Sequence, residues 1–274
     1  MNAIAIGPFV FSNDRFIAIL ASAAFLLCAE LIAWRRPNAA GPIRRWSMIS
    51  FVVWIVTARL GFVLGNFNVF AQEPLSILAL WQGGFDARSG TIGLGIVVFL
   101  GLLRKPDVVI PISLSLLIGA VTFQIAGLML PDETRGRIPT GSFMDMAGNE
   151  TGLATGDGRP LVLNLWATWC PPCRREMPMM TSVATAREDV AFVFANQGEQ
   201  EETIQSYLRK NGLPFEGMLQ DADSTLLTKF GMLGLPSTLF FSPTGRLQAV
   251  HTGEISRPTL VAQSRELKGN TSED

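Results

Sequence analysis

The chain has 274 residues, with 22 Lys and Arg against 23 Asp and Glu, and 48% of it is hydrophobic. That length has room for two units, and a net charge near zero without basic runs interleaved with aromatics argues against nucleic-acid binding. Three cysteines are too few for a disulfide scaffold, and a single histidine leaves no obvious fourth ligand for a structural zinc.

Hydropathy divides the sequence. Residues 1–130 carry long apolar runs, and residues 131–274 read as an ordinary soluble domain. A bilayer-crossing helix needs about 20 apolar residues. Four segments qualify: about Phe16 to Trp34, Trp46 to Gly65, Gly90 to Leu103, and Val108 to Leu130. The third is short and glycine-rich, so a re-entrant or buried helix is its alternative. Glu30 and Arg59 lie in or near the spans, and such charges face protein or water. Arg35, Arg36, Arg44 and Arg45 follow the first span; Arg104 and Lys105 follow the third. Basic loops face the cytoplasm. Four spans then put the N-terminus and everything after Leu130 outside, whereas three would leave the soluble domain in the cytosol. The N-terminus lacks the basic start of a cleavable signal and carries Asp14-Arg15 before its apolar run. Leu26-Leu27-Cys28 departs from a lipoprotein cleavage site at bulky Leu27, so Cys28 reads as an inert membrane thiol.

Thr57-Ala58-Arg59-Leu60-Gly61-Phe62-Val63-Leu64, Glu73-Pro74-Leu75 and Ile77-Leu78-Ala79-Leu80-Trp81-Gln82-Gly83-Gly84 resemble prolipoprotein diacylglyceryl transferase. The likeness runs over about residues 45–125 and continues weakly through Gly90-Thr91-Ile92-Gly93 and Asp107 with Pro111. Two departures matter. The family has a histidine where Arg88 stands, and its later Gly-Arg-x-x-Asn-Phe motif is missing near Ile118 to Phe123. The resemblance therefore implies a degenerate scaffold: a membrane anchor, a lipid contact or a partner-docking surface.

The segment from Leu130 to Gly136 reads as an exit linker, extending to residue 139. Ser142 to Met146 is a first strand, and the apolar run Leu161 to Trp166 suits a buried central strand. A polar helix is expected over Arg174 to Arg187, a strand over Val190 to Ala195, and a helix over Glu201 to Lys210 with Gly212 as cap. Asp221 to Phe230 reads as a helix with Asp221 or Asp223 as N-cap. Ser237 to Phe241 and Leu247 to Thr252 flank the turn Pro243-Thr244-Gly245 as a hairpin. Ser256 with Pro258 opens a last helix. His251 falls on a strand expected at the surface. Strand–helix–strand units followed by a hairpin and a helix make a mixed α/β domain.

Between the central strand and its helix stands Trp169-Cys170-Pro171-Pro172-Cys173. Two thiols at a strand-to-helix junction suit reversible dithiol–disulfide exchange. The first meets the helix N-terminus, where N–H groups and the macrodipole favour the attacking thiolate. The second lies one turn on and resolves the mixed disulfide. Half a zinc site is disfavoured for want of ligands, and a structural disulfide because so short a loop gains little from closure. The catalytic candidates are Cys170 as nucleophile, Cys173 as resolving thiol and Glu176. The Glu176 spacing can bring its carboxylate near the dithiol, where it would relay a proton and oppose thiolate formation. A solvated helix charge is the alternative for Glu176. Trp169 is either an apolar platform over the site or a core side chain.

Asn164-Leu165-Trp166-Ala167-Thr168-Trp169-Cys170-Pro171-Pro172-Cys173, extended by Glu176-Met177-Pro178, resembles the thioredoxin superfamily and, within it, membrane-anchored TlpA/ResA-type thiol–disulfide oxidoreductases. The likeness covers about residues 138–268. It implies a thioredoxin-like fold, a role for the Glu176 acid, and a cis proline at Pro236 beside the cysteines. Leu235 would then offer its backbone to an extended substrate, so Trp169, Leu235 and Pro236 are the substrate-binding candidates. It further implies reductive tasks outside the membrane, such as cytochrome c maturation.

The combined expectation is an N-terminal α-helical multi-span membrane domain, residues 1–130, and a C-terminal α/β thioredoxin-like domain, residues 140–274. The chain is expected in the bacterial inner membrane with its N-terminus and redox domain periplasmic. It should reduce disulfide-containing protein substrates with no cofactor beyond the Cys170–Cys173 disulfide and no metal. Its expected partners are membrane lipid and a DsbD-type membrane electron donor, with no nucleic acid. Rival readings are a disulfide oxidant or isomerase, and a lipoprotein-modifying membrane protein with an accessory thioredoxin domain. A thiol peroxidase fits poorly with a Cys-Pro-Pro-Cys pair.

Overall fold

A computed structural model describes residues 3–6, 9–71, 74–130, 136–153 and 157–269. The chain divides into two compact units: Asn13–Leu80 with Gly84–Pro131, and Asp132–Asp274 with Met1–Ser12 and Trp81–Gly83.

The first unit is helical. Its elements are α1 (Asn13–Arg35), α2 (Ala40–Gly65), the single turn α3 (Phe67–Phe70), α4 (Ala87–Arg104) and α5 (Pro106–Met129); a short hairpin, β1 (Ala3–Ile6) and β2 (Phe9–Ser12), precedes α1 in sequence. Among the described residues α1, α2, α4 and α5 are each long and apolar enough to cross a membrane. All four start earlier than their apolar cores; Asp86 caps α4 by accepting from Arg88 N and Ser89 N, and Pro106 sits at the start of α5. The third span is thus a full helix of 18 residues. Helix α2 approaches α4 through small residues. A Cβ built at Gly93 would clash with the Thr57 side chain, and one at Gly90 would meet Trp54 Nε1 at 2.8 Å, the close contact that membrane helices use. Arg59 is buried and donates to three backbone carbonyls, of Ser76, Ile77 and Gly84. A charge inside a membrane-capable helix is thereby spent on the segment that joins α2 to α4.

The second unit holds a seven-stranded sheet in the order β4-β3-β7-β6-β5-β8-β9. Its strands are β3 (Ser142–Asp145), β4 (Glu150–Gly152), β5 (Leu161–Trp166), β6 (Ala191–Gln197), β7 (Met218–Asp221), β8 (Ser237–Phe241) and β9 (Leu247–Thr252); its helices are α6 (Pro171–Ala186), α7 (Glu201–Asn211), α8 (Thr225–Lys229) and α9 (Arg257–Gly269). Strands β5, β6 and β7 run parallel, while β8 pairs antiparallel with both β5 and β9. Every residue of β5 is buried, as its unbroken apolar run requires. On one face Val162, Trp166 and Phe240 pack against Met177, Ile204 and Leu260 of α6, α7 and α9. On the other, Leu163, Leu165 and Phe241 pack against Leu226 and Phe230.

Several boundaries differ from expectation. The helix after the cysteines starts at Pro171 rather than Arg174, since proline has no N–H to lose in a first turn. Asp221 does not begin a long helix. It ends the unforeseen strand β7, and its carboxylate accepts from Thr225 N and Leu226 N at 2.9 Å each, capping the short α8. His251 is buried, not at the surface, and its Nε2 lies 3.2 Å from Glu254 O. Gly212 ends α7 in the left-handed conformation, φ 62°, as expected of a C-cap. Most of the expected exit linker, residues 131–135, lies outside the described residues.

Candidate active site

The N-terminus of α6 organises the site. A helix leaves its first N–H groups without intrahelical partners. Pro171 and Pro172 have none to leave. The first N–H is that of Cys173, and it donates to Cys170 Sγ at 3.3 Å, while Arg174 N donates to Cys170 O at 3.1 Å. Cys170 is thus the N-cap of α6. The two prolines concentrate the helix end on one sulfur, which favours a thiolate there once the pair is reduced. Cys170 and Cys173 are joined as a disulfide, with Cα atoms 5.3 Å apart. Both are buried, at 3% and 0% exposure, so Cys170 is barely the more exposed thiol. The surface beside them belongs to Trp169, which is 67% exposed and not a core side chain.

Glu176 follows Cys173 by three positions on α6 and is 2% exposed, so it is no solvated helix charge. Its Oε1 accepts from Asn164 Nδ2 and its Oε2 from Ile255 N, both at 3.0 Å. Burial pushes its pKa up to about 8, against the lowering effect of those two hydrogen bonds; Glu254 raises it further and Arg175 lowers it. At neutral pH the group is mostly a neutral acid.

The Leu235–Pro236 peptide bond is cis. Pro236 is buried, and its carbonyl accepts from Gly253 N at 2.9 Å. Leu235 is half-buried and packs against the hydrophobic cluster that contains Cys170 and Cys173. The structure thus gathers Trp169, Cys170, Cys173 and Glu176 on one loop and helix start, with Leu235 against the same core.

Three contributors escaped sequence reasoning. Asn164 bridges Glu176 to Thr238 of β8, reaching Thr238 Oγ1 at 3.2 Å. Glu254 pairs with Arg175 at 2.6 Å, next to the Ile255 that binds Glu176. Glu199, after β6, accepts from Thr168 N and Thr168 Oγ1, in the loop before Cys170. A polar Asn inside an otherwise apolar strand was the one local signal; the two glutamates carried none. Among the described residues no group of three or more His, Cys, Asp or Glu side chains is placed to hold a metal ion. In the membrane unit Arg88 occupies the first turn of α4, exposed, where the resembled transferases carry histidine.

Comparison with known proteins finds two families along the chain. Residues 135–250 match the AhpC/TSA family, and residues 3–155 match the prolipoprotein diacylglyceryl transferase family. The chain is 32% identical over 125 residues to thiol-disulfide oxidoreductase ResA of Halalkalibacterium halodurans, a stretch covering 45% of this chain and 70% of that one. It is 30% identical over 99 residues to thiol:disulfide interchange protein DsbE of Escherichia coli strain K12, covering 36% of this chain and 52% of that one. Among solved structures, MTB dsbF shares 27% identity over 51% of this chain and 100% of that chain, with a TM-score of 0.42.

Proposed function

The chain belongs to the ResA family of thiol–disulfide oxidoreductases and to the prolipoprotein diacylglyceryl transferase family, and from that premise we propose that it is a membrane-anchored reductase of protein disulfides outside the cytoplasm. The observation that carries this reading is the Cys170 sulfur at the N-cap of α6, accepting the first available N–H of the helix. In the working direction the reduced Cys170 thiolate attacks one sulfur of a partner's disulfide, and the other partner sulfur leaves as a thiolate. The neutral Glu176 protonates that thiolate, and the carboxylate so formed takes the Cys173 proton as Cys173 attacks Cys170 Sγ. The second partner sulfur departs, and the Cys170–Cys173 disulfide re-forms. Two electrons pass to the partner, so the enzyme needs a donor, for which a DsbD-type membrane reductant is the natural class.

Trp169 covers the dithiol as an apolar platform, and Leu235 and Pro236 receive an extended substrate segment by strand addition. Residues 1–130 form the anchor, 131–139 the linker and 140–274 the redox module. The four membrane-capable helices and the basic residues Arg35, Arg36, Arg44, Arg45, Arg104 and Lys105 support a periplasmic placement of that module. Arg88 in place of the transferase histidine supports a scaffold that contacts lipid and recruits lipid-linked cysteine proteins rather than acylating them. Apocytochromes c are a second substrate class.

Equilibrating the full-length protein with glutathione buffers tests the direction. A potential well below about −200 mV supports a reductase; one near about −120 mV, typical of strong oxidants, overturns it in favour of an oxidant or isomerase. Labelling whole cells with an impermeant thiol reagent tests the placement, and Cys170 labelled only after lysis would overturn it.

A further inference from the structure

We propose that Asn164 is a positioning residue that senses whether Glu176 carries its proton and reports it to strand β8 by turning its side-chain amide over. The proposal rests on the reading of Glu176 as the proton-carrying group of the dithiol site.

Asn164 is fully buried in β5. The register sets it opposite Thr238 of β8, which in turn lies opposite His251 of β9. Residues directly opposite in antiparallel neighbours share a face, so three polar residues cross a face that otherwise packs Val162, Trp166 and Phe240. Asn164 Nδ2 lies 3.0 Å from Glu176 Oε1 and 3.2 Å from Thr238 Oγ1. Asn164 Oδ1 is buried with no hydrogen-bond partner. A lone buried acceptor is unfavourable, and its presence in a built polar row asks for an explanation.

The protonation of Glu176 supplies one. In the arrangement seen, both groups bonded to Glu176 are donors, Asn164 Nδ2 and Ile255 N. That set suits a carboxylate. A buried carboxyl also favours its neutral form, and the O–H of that form needs an acceptor. Oδ1 is the acceptor on the same side chain. A half-turn of the amide exchanges its oxygen and nitrogen at almost no change in volume. Glu176 O–H then donates to Asn164 Oδ1. The Thr238 hydroxyl, an acceptor before, becomes a donor to that oxygen. Each protonation state of Glu176 thus has its own donor–acceptor match with Asn164, and the two differ in the direction of the Thr238 hydrogen bond. Thr238 stands two residues after Pro236, on the strand proposed to receive substrate. The charged and titratable groups around the row are Arg175 on α6, and Glu254 with His251 on β9 and the loop that follows.

The test uses full-length oxidised protein in detergent, labelled with 15N at asparagine side chains. The Asn164 amide resonance, assigned by its loss in Asn164→Ser, is followed from about pH 5 to about pH 10. Iodoacetamide alkylation of the reduced protein gives a parallel pH profile for Cys170. The expected result is one midpoint in the Asn164 resonance that is absent in Glu176→Gln and shifts by about half a unit or more in Thr238→Val, which keeps volume but removes the hydroxyl. A resonance that stays flat in the wild type, while Glu176→Gln still alters the alkylation profile, overturns the role of Asn164 and leaves that of Glu176 standing. An alkylation profile that Glu176→Gln leaves unchanged overturns the Glu176 reading and this proposal with it. If Glu176→Gln does not fold, a Thr238→Val midpoint equal to the wild type's is decisive against the proposal.

Discussion

The Glu199 carboxylate accepts both the backbone N–H and the hydroxyl of Thr168, at 2.7 and 2.5 Å. It is held in turn by Asn196 Nδ2 at 2.7 Å, and its own carbonyl accepts from Gln220 Nε2 at 3.0 Å. Two strands, β6 and β7, thereby fix a loop that runs directly into Trp169 and Cys170. Glu199→Ala releases it. Hydrogen bonds to a charged group contribute about 1.5–3 kcal/mol when buried; this one is half-exposed, so a loss of about 1–2 kcal/mol in denaturant unfolding is expected. Reduction of a protein disulfide should fall about tenfold, the effect of about 1.4 kcal/mol, while a small aromatic disulfide reacts nearly as before. Equal loss on both substrates would rule out a role in presenting Trp169.

The raised pKa of Glu176 makes stability depend on pH. The folded value is about 8 against 4.5 for the free group. Between those values the folded state binds a proton that the unfolded state has lost, so stability falls as pH rises. The contribution is fully present below about 4.5 and gone above about 8. Glu176→Gln lacks this dependence. Its stability relative to wild type should improve by an amount on the order of a few kcal/mol from pH 5 to pH 9, read by urea unfolding of the oxidised protein at each pH. A constant difference across that range would contradict a buried neutral acid.

The two cysteines should fail differently. Cys170→Ser abolishes disulfide reduction and captures nothing. Cys173→Ser still attacks and stalls as a mixed disulfide, to be isolated on a non-reducing gel and identified by mass spectrometry. Closing so short a loop stabilises little, so the melting temperature of neither variant should explain the loss. Capture by Cys170→Ser instead would exchange the two roles.

Arg59 offers a test in the membrane unit. Arg59→Leu leaves the carbonyls of Ser76, Ile77 and Gly84 without this donor. Each buried unsatisfied group costs about 1–3 kcal/mol. The variant should melt several degrees lower in detergent, whereas its equilibrium with glutathione should match the wild type. A changed redox equilibrium with unchanged melting would contradict a purely architectural arginine.

Local chemistry was legible where it is carried by neighbours in sequence. Apolar runs declare four membrane-capable helices and a buried central strand, and Cys-Pro-Pro-Cys at a helix start declares dithiol exchange, because hydropathy and helix-end electrostatics act over a turn or two. Missing prolines' N–H groups aim the Cys173 N–H at Cys170, and that too is written in the motif. The burial of Glu176 was not, since the same Glu on a solvated helix face has the same sequence. Nor was the strand β7, too short for its alternation to stand out, nor the buried site of His251. Asn164, Ile255 and Glu199 reach the site from 12, 79 and 31 residues away from their partners. Only the assembled sheet decides such contacts, because burial and hydrogen-bond partnership depend on which strands lie side by side. The chain alone thus determined what chemistry two sulfurs at a helix start can perform, and the fold decided that Glu176 is buried on the same helix with Asn164 and Ile255 as partners, because only the packed strands bring those groups together.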